Sequence, residues 1–215
     1  LTSKLDDIAW IFNLRGSDVP DNPVFYAYSL IPAKGNATLF INEEKVPADL
    51  KEQLAEEGVV LAPYHSVGAA LASLSSGTVL ADPEEINASL LSRLPEQITQ
   101  LELPNPIELM KALKTPEEIE LISEAMLKDG VALVRFFAWL DRNLGKEEMT
   151  EQSLADKLLY FRKSLPGYIS LSFETISAFG PNAALPHYQP EKTGGAQIRG
   201  NGFLLIDSGA QFPEG

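Results

Sequence analysis

The stretch LPNPIELMKALKTPEEIELISEAMLKDGVALVRFFAWL, residues Leu103–Leu140, separates two sequence patterns. Two prolines within its first four residues stop a strand and delay the next helix. Further along, Thr115 can cap a helix, the proline after it suits the first helical position, and Glu118 completes a capping box. We therefore predict a domain boundary at residue 106 and a long helix from residue 116 until about Asn143.

Before this boundary, short apolar runs alternate with amphipathic stretches, which is typical of a layered α/β fold. The apolar runs predict strands at Ile8–Leu14, Val24–Leu30, Ala37–Ile41, Val59–Ala62, Thr78–Ala81 and Gln97–Leu101. The amphipathic stretches predict helices at Pro47–Glu57, Tyr64–Leu74 and Glu84–Leu91. Because helices separate several strands, we expect crossover connections and a mixed sheet.

After the boundary, the apolar residues of the long helix recur at helical spacing and predict one stripe that faces a core. The residues of this stripe are Ile119, Ile122, Met126, Leu133, Phe137 and Leu140. A second helix is predicted from Glu151 to Ser164, followed by strands at Ser172–Ala178 and Phe203–Ile206. The whole chain is thus predicted to be α/β, or α+β.

The composition excludes several classes of protein. The chain has 215 residues, 30 acidic and 17 basic side chains, a net charge of −13 and no cysteine. This charge opposes binding to nucleic-acid phosphates or anionic lipids, and no apolar run approaches the roughly 18–20 residues of a membrane-spanning helix. Without cysteine there is no disulfide framework or thiolate metal site, and a cytoplasmic location is the default expectation.

Asp207 is the first candidate for chemistry, because it follows the apolar run Phe203–Ile206 and precedes Ser208. A carboxylate at the end of a buried strand is a common position for a metal ligand or a catalytic acid. On spacing alone, the alternative is an Asx-turn in which Asp207 only binds nearby backbone amides. No GxGxxG, GxSxG or HExxH pattern offers another kind of active site.

His187 and Arg15 are the other two candidates. His187 lies in a loop bounded by two prolines, where it could stabilise an oxyanion or transfer a proton; the alternative is a structural histidine. Arg15 follows the predicted strand that ends at Leu14, so its loop could line a substrate cleft. The alternative for Arg15 is a turn with an internal ion pair to Asp18.

Four segments together resemble a known family. They are AWIFNLRGSDVPDNPVF (Ala9–Phe25), KTPEEIELISEAMLKDGVALVRFFAWL (Lys114–Leu140), SFETISAFGPNAALPHYQP (Ser172–Pro190) and LLIDSGAQF (Leu204–Phe212). In this order they resemble the long, three-domain form of Xaa-Pro aminopeptidase, also called aminopeptidase P. The resemblance implies a creatinase-like non-catalytic domain at residues 1–106. It also implies that residues 107–215 are the N-terminal part of a pita-bread metallopeptidase domain.

The resemblance further implies a peptidase that uses two divalent ions, manganese being expected, and that removes the residue before an N-terminal proline. Asp207 matches a metal ligand of the family, and His187 matches its substrate-binding histidine near the scissile bond. The other metal ligands of the family would follow residue 215, so we expect this chain to be a fragment that is inactive by itself. A peptide substrate and a homodimer of the full-length protein are implied as well.

A second hypothesis is a non-catalytic binding module for a peptide or a protein, because the pita-bread fold also occurs in proteins without metal ligands. Asp207 and His187 argue against this hypothesis, since both positions keep the side chains that the enzyme needs.

Overall fold

A computed structural model describes residues 1–191 and 194–215 as two compact units. The first unit comprises Leu1–Val19 and Pro23–Leu113, and the second comprises Pro20–Asn22 and Lys114–Gly215. The division after Leu113 lies seven residues beyond the boundary predicted at residue 106. Helix α5 (Pro106–Ala112), which begins at that predicted boundary, buries Ile107 and contacts helix α1 (Leu5–Ile11), so it folds with the first unit.

The first unit contains five α-helices and five strands among the described residues, besides two short 3-10 helices at Glu43–Lys45 and Tyr64–Ser66. The helices are α1 Leu5–Ile11, α2 Ala48–Glu56, α3 Val67–Ala72, α4 Ala88–Leu91 and α5 Pro106–Ala112; the strands are β1 Ala27–Leu30, β2 Ala37–Ile41, β3 Val59–Pro63, β4 Thr78–Ala81 and β5 Thr99–Glu102. Strand β2 pairs antiparallel with β1 and parallel with β3, and β4 pairs parallel with β5. The predicted mixed sheet with helical crossovers is therefore confirmed.

Helix α1 corrects the prediction of a strand at Ile8–Leu14. A short apolar run fits a buried strand and a buried helix equally well. Here the helical spacing decides, because four side chains at intervals of three or four residues meet in one core cluster; they are Leu5, Ile8, Ala9 and Phe12. Asp6 and Asp7 in the first turn also suit the positive end of a helix.

Helix α4 is shorter than the predicted helix Glu84–Leu91 and begins only at Ala88. The Asp82 side chain accepts a hydrogen bond from the Glu84 amide at 3.0 Å. The Asn87 side chain accepts one from the Leu90 amide, also at 3.0 Å. The Asp82 bond competes with helical backbone bonds and holds the first half of this segment in turns, whereas the Asn87 bond caps the first turn of α4.

The second unit contains α6 Pro116–Asn143, α7 Glu151–Lys163, β6 Ser170–Phe179 and β7 Leu204–Gln211. Both predicted helices are confirmed, and both strands are longer than predicted. Strands β6 and β7 pair antiparallel, and α7 contacts both α6 and β6. Within residues 1–191 and 194–215, no helix has the length and apolarity that crossing a membrane would require.

The start of α6 has the capping box that the sequence predicts. The Thr115 hydroxyl accepts a hydrogen bond from the Glu118 amide at 3.2 Å, and the Glu118 carboxylate accepts one from the Thr115 amide at 2.8 Å. Both bonds satisfy amides that have no partner inside the helix.

We expect Thr115→Ala to lower the free energy of unfolding of the second unit by about 1 kcal/mol, because it removes one of these caps. Urea unfolding monitored by circular dichroism measures the change. Ser123→Ala is the matched control on an exposed turn of the same helix, with an expected change within about 0.5 kcal/mol. Equal effects of the two substitutions would contradict a stabilising cap.

The core of the second unit is built around Phe136, Met149, Leu154 and Leu158. On α6, the buried side chains are Ala125, Ala132 and Phe136 rather than the whole predicted stripe. Leu133 and Leu140 pack against this core, but the other stripe residues are exposed among the described residues; these are Ile119, Ile122, Met126 and Phe137. The helix has apolar side chains on more than one face, so spacing alone did not identify the covered face.

Candidate functional site

Asp207 lies within β7, opposite Ile176 of β6, and not beyond the end of the strand as predicted. Strand pairing continues past it to Gln211, so the alternative of an Asx-turn at this position is wrong. The Asp207 side chain is exposed and forms no hydrogen bond or ion pair with another residue in the described part of the chain.

The neighbours of Asp207 show which face of the sheet it occupies. Ile206 packs against the core of the second unit, and the Ser208 hydroxyl accepts a hydrogen bond from Arg162. Because successive strand side chains point to opposite faces, Asp207 and Leu205 project from the other face. An exposed carboxylate without a protein donor fits the role of a ligand to a divalent cation.

Arg162 anchors the strand next to Asp207. Its side chain is fully buried, and its Nε and Nη2 atoms donate to the two carboxylate oxygens of Asp129 at 2.7 and 2.9 Å. Nη2 also donates to the Ser208 hydroxyl at 3.1 Å, which ties α6, α7 and β7 together. The sequence holds a signal for the burial of Arg162. It lies four residues after Leu158, which lies four residues after Leu154, so all three share the buried face of α7.

Gly209 allows β6 and β7 to approach closely beside Asp207. A Cβ atom at Gly209 would lie 2.2 Å from the Ser172 hydroxyl oxygen, far inside contact distance. A larger residue at Gly209 would therefore force the Ser172 hydroxyl into another rotamer.

His187 is exposed and lies after the short helical turn Gly180–Ala184. Its φ angle of 55° is in the left-handed region, which costs a non-glycine residue about 1–3 kcal/mol and persists only where the surroundings hold it. Its imidazole forms no hydrogen bond or ion pair within residues 1–191 and 194–215. No hydrogen bond or ion pair joins His187 to Asp207 in the described part of the chain. These two predicted residues therefore do not form a complete site by themselves.

Glu151 holds the backbone on both sides of His187, and the sequence analysis missed it. Its buried carboxylate accepts hydrogen bonds from the Phe179 amide at 2.6 Å and the Ala196 amide at 2.8 Å. It also accepts from the Asn182 side chain at 3.0 Å and the Tyr188 hydroxyl at 2.6 Å. A glutamate in the first turn of a helix is ordinary, so nothing in the sequence showed that this one is buried.

The hydrogen bonds shift the pKa values of both Glu151 and Tyr188. Burial raises the pKa of Glu151, but the bonds from Tyr188, the two amides and Asn182 outweigh burial and leave that pKa below its ordinary value. The bond to Glu151, together with burial, raises the pKa of Tyr188 to about 12. At neutral pH a carboxylate therefore faces a protonated tyrosine.

Arg15 lies in the first unit, just after α1 rather than after a strand. Its exposed side chain donates to the backbone oxygen of Leu14 at 3.0 Å and to that of Ala9 at 3.3 Å. The alternative of an internal ion pair is wrong, because the Asp18 carboxylate binds the Lys45 ammonium group at 2.5 Å. A role for Arg15 in substrate binding stays a prediction.

Three carboxylates of the first unit also come close together. Oxygen atoms of Asp7, Glu85 and Glu108 lie within 4.8 Å of one another. The Lys4 ammonium group contacts Glu108 and lies 3.5 Å from Glu85. The Lys111 ammonium group lies 2.6 Å from Asp7. These two lysines supply the positive charge that the cluster needs, so ion pairing explains its geometry.

Comparison with known proteins decides the family. Residues 1–118 match the model of the Creatinase/Prolidase N-terminal domain. The chain belongs to this family. Residues 120–215 match Metallopeptidase family M24, and together with the curated relatives described next this match confirms the resemblance to Xaa-Pro aminopeptidases. The family match for the second unit covers both Asp207 and His187.

Curated relatives agree with this family. A probable Xaa-Pro aminopeptidase P of Sordaria macrospora is 37% identical over 229 residues, which cover 100% of this chain and 37% of the relative. Aminopeptidase P2 of Arabidopsis thaliana is 34% identical over 244 residues, covering 99% of this chain and 34% of the relative. The chain thus spans little more than a third of the length of these relatives.

A solved structure supports the creatinase-like fold. The X-prolyl aminopeptidase of Caenorhabditis elegans, described as a cytosolic enzyme with a di-nuclear active site, has a TM-score of 0.89 and 33% identity. The match covers 98% of this chain and 35% of that chain. An Xaa-Pro dipeptidase of Bacillus anthracis shares the fold, with a TM-score of 0.69 at 20% identity over 97% of this chain and 55% of that one.

Proposed function

We propose that the full-length protein containing this chain is a metal-dependent aminopeptidase that removes the N-terminal residue from peptides with proline in the second position. The observation that carries the proposal is the free carboxylate of Asp207 on the open face of β7. The similarity of the whole chain to Xaa-Pro aminopeptidase P sequences supports it. A binding module would not need an unpaired carboxylate here.

In this proposal Asp207 is a ligand of a centre for two divalent ions, with manganese as the proposed metal. When bound, such ions act as Lewis acids and lower the pKa of a coordinated water. The carboxylate of Asp207 suits this role because no described residue competes for it. The remaining ligands belong to the part of the full-length protein outside this chain.

His187 acts on the substrate. Its exposed imidazole donates a hydrogen bond to the carbonyl oxygen before proline and stabilises the negative charge that develops there. A dedicated peptidase is needed because proline has no backbone N–H and a fixed φ angle. A peptidase that binds its substrate as a hydrogen-bonded strand therefore handles an Xaa-Pro bond poorly.

The test is the selectivity of the full-length protein between Arg-Pro-Pro and Arg-Ala-Ala. We expect release of arginine from Arg-Pro-Pro only, measured by chromatography in the presence of manganese. Equal cleavage of both peptides would indicate a general aminopeptidase instead, and cleavage of neither by a folded protein would contradict the proposal.

The 215-residue chain alone should be inactive, because a single carboxylate ligand does not hold a two-metal centre. We expect it to bind manganese no more tightly than in the millimolar range and to leave Arg-Pro-Pro intact. Isothermal titration calorimetry and the same peptide assay measure these properties. Metal-dependent turnover by this chain would contradict the expectation.

We further propose a cytoplasmic homodimer without nucleic-acid or membrane partners. The cytosolic description of the Caenorhabditis elegans relative and the net charge of −13 support the location and the absence of anionic partners. Light scattering of the full-length protein tests the dimer.

A further inference from the structure

We propose that Glu151 is a positioning residue that fixes the His187 segment, defined here as Gly180–Tyr188. Its catalytic consequence rests on the proposed peptidase function, whereas its structural part does not. Glu151 acts through backbone and side-chain partners of the segment and is not expected to touch the substrate.

The bonds to Glu151 bracket the segment. The Phe179 amide directly precedes it, and the Asn182 side chain and the Tyr188 hydroxyl belong to it. The Ala196 amide, which lies after the segment in the chain, donates to the same carboxylate. Glu151 itself is held at the start of α7, so one rigid helix end fixes several points of the loop.

His187 depends on this support because its imidazole has no partner of its own among the described residues. Its backbone is in the left-handed region, which surroundings must enforce for a residue with a Cβ atom. The next residue, Tyr188, is bonded to Glu151 and also accepts a hydrogen bond from Asn182 at 3.0 Å. The orientation of His187 therefore depends on the backbone conformation that the hydrogen bonds to Glu151 maintain.

A carboxylate is chemically required at this position. All four partners of Glu151 are donors, and an ionised carboxylate offers only acceptor sites. Glutamine has nearly the same shape but would direct an NH2 group at donors. Gly195 also shows how tightly the carboxylate is enclosed, since a Cβ atom there would lie 2.7 Å from the Glu151 Oε2 atom.

The first experiment does not depend on activity. Amide hydrogen exchange of the full-length protein is compared between wild type, Glu151→Gln and the exposed control Glu148→Gln. We expect exchange at Phe179 and within the His187 segment to accelerate about tenfold or more in Glu151→Gln, as for the loss of a charged hydrogen bond, while β7 and the rest of β6 stay protected. Unchanged exchange of the segment would overturn the proposal.

Tyr188→Phe removes the hydroxyl that donates to Glu151 and leaves the other three donors in place. This variant keeps the test decisive if Glu151→Gln folds poorly. We expect it to accelerate exchange in the same segment and in no other part of the second unit. Protection equal to that of the wild type would count against the proposal.

The second experiment measures kinetics on Arg-Pro-Pro. We expect Glu151→Gln to lower kcat about 100-fold, the effect of a small misplacement of a reacting group, with bound metal unchanged. The double variant Glu151→Gln/His187→Ala should lose no more activity than His187→Ala alone, because both act through one group. If the activity losses of the two single variants multiply in the double variant, Glu151 does not act through His187, and the proposal is overturned. If the wild type cleaves no Xaa-Pro peptide, the proposed function fails, and hydrogen exchange still decides the structural inference.

Discussion

Replacing Asp207 by asparagine in the full-length protein should abolish Xaa-Pro hydrolysis and leave the fold intact. Asparagine keeps the size of the side chain but removes the negative charge that a divalent cation requires. The fold should tolerate the change, because the Asp207 side chain is exposed and has no partner among the described residues. The expected loss is down to background, measured as kcat/KM at saturating manganese.

Two further measurements make this result specific. Bound metal per chain should fall in Asp207→Asn, and the melting temperature should match the wild type. Glu174→Gln is the matched control, since Glu174 is an exposed carboxylate on the neighbouring strand β6. Activity retained by Asp207→Asn at saturating manganese would refute Asp207 as a ligand.

Asp129→Asn should destabilise the second unit by about 3 kcal/mol, because it leaves Arg162 as a buried charge without its counterion. The value is at the low end for a buried pair, since the Asp129 side chain keeps 18% of its exposure. Urea unfolding of the second unit measures the loss. Asp141→Asn, an exposed change on the same helix, should stay within about 0.5 kcal/mol.

A double replacement separates the effect of the ion pair between Asp129 and Arg162 from the effect of side-chain packing. Asp129→Leu with Arg162→Met removes both charges, and we expect it to recover most of the stability lost in Asp129→Asn. If Asp129→Asn unfolds like the wild type, the pair does not stabilise the fold. The same result would remove the argument that Arg162 anchors β7 beside Asp207.

The elements that sequence could predict are those whose signals are local. The capping box at Thr115 and Glu118 identified the start of α6, and its length followed from helical spacing until Asn143. Strand β2 at Ala37–Ile41 has the predicted limits, because its run of five residues is too short for a typical helix and lies between turn residues. Asp207 and His187 were selected as candidates by position and by resemblance, and their roles stay predictions.

The features that sequence could not predict depend on tertiary packing. The apolar run after Ile8 fits a strand or a helix, and only the shared core cluster selects α1. Glu151 has no local mark of burial, and the spacing of Arg162 from Leu154 and Leu158 marks a face of α7 without showing which residues Arg162 binds. Their partners lie on other elements, far away in sequence, so the networks that hold His187 and β7 appear only in the folded chain.

The most direct measurement is hydrolysis of Arg-Pro-Pro by the full-length protein with and without manganese, beside the same assay on the 215-residue chain. We expect release of arginine by the full-length protein only, and only with metal present. Absence of hydrolysis by both proteins, with both shown to be folded, would contradict the peptidase and favour the binding module.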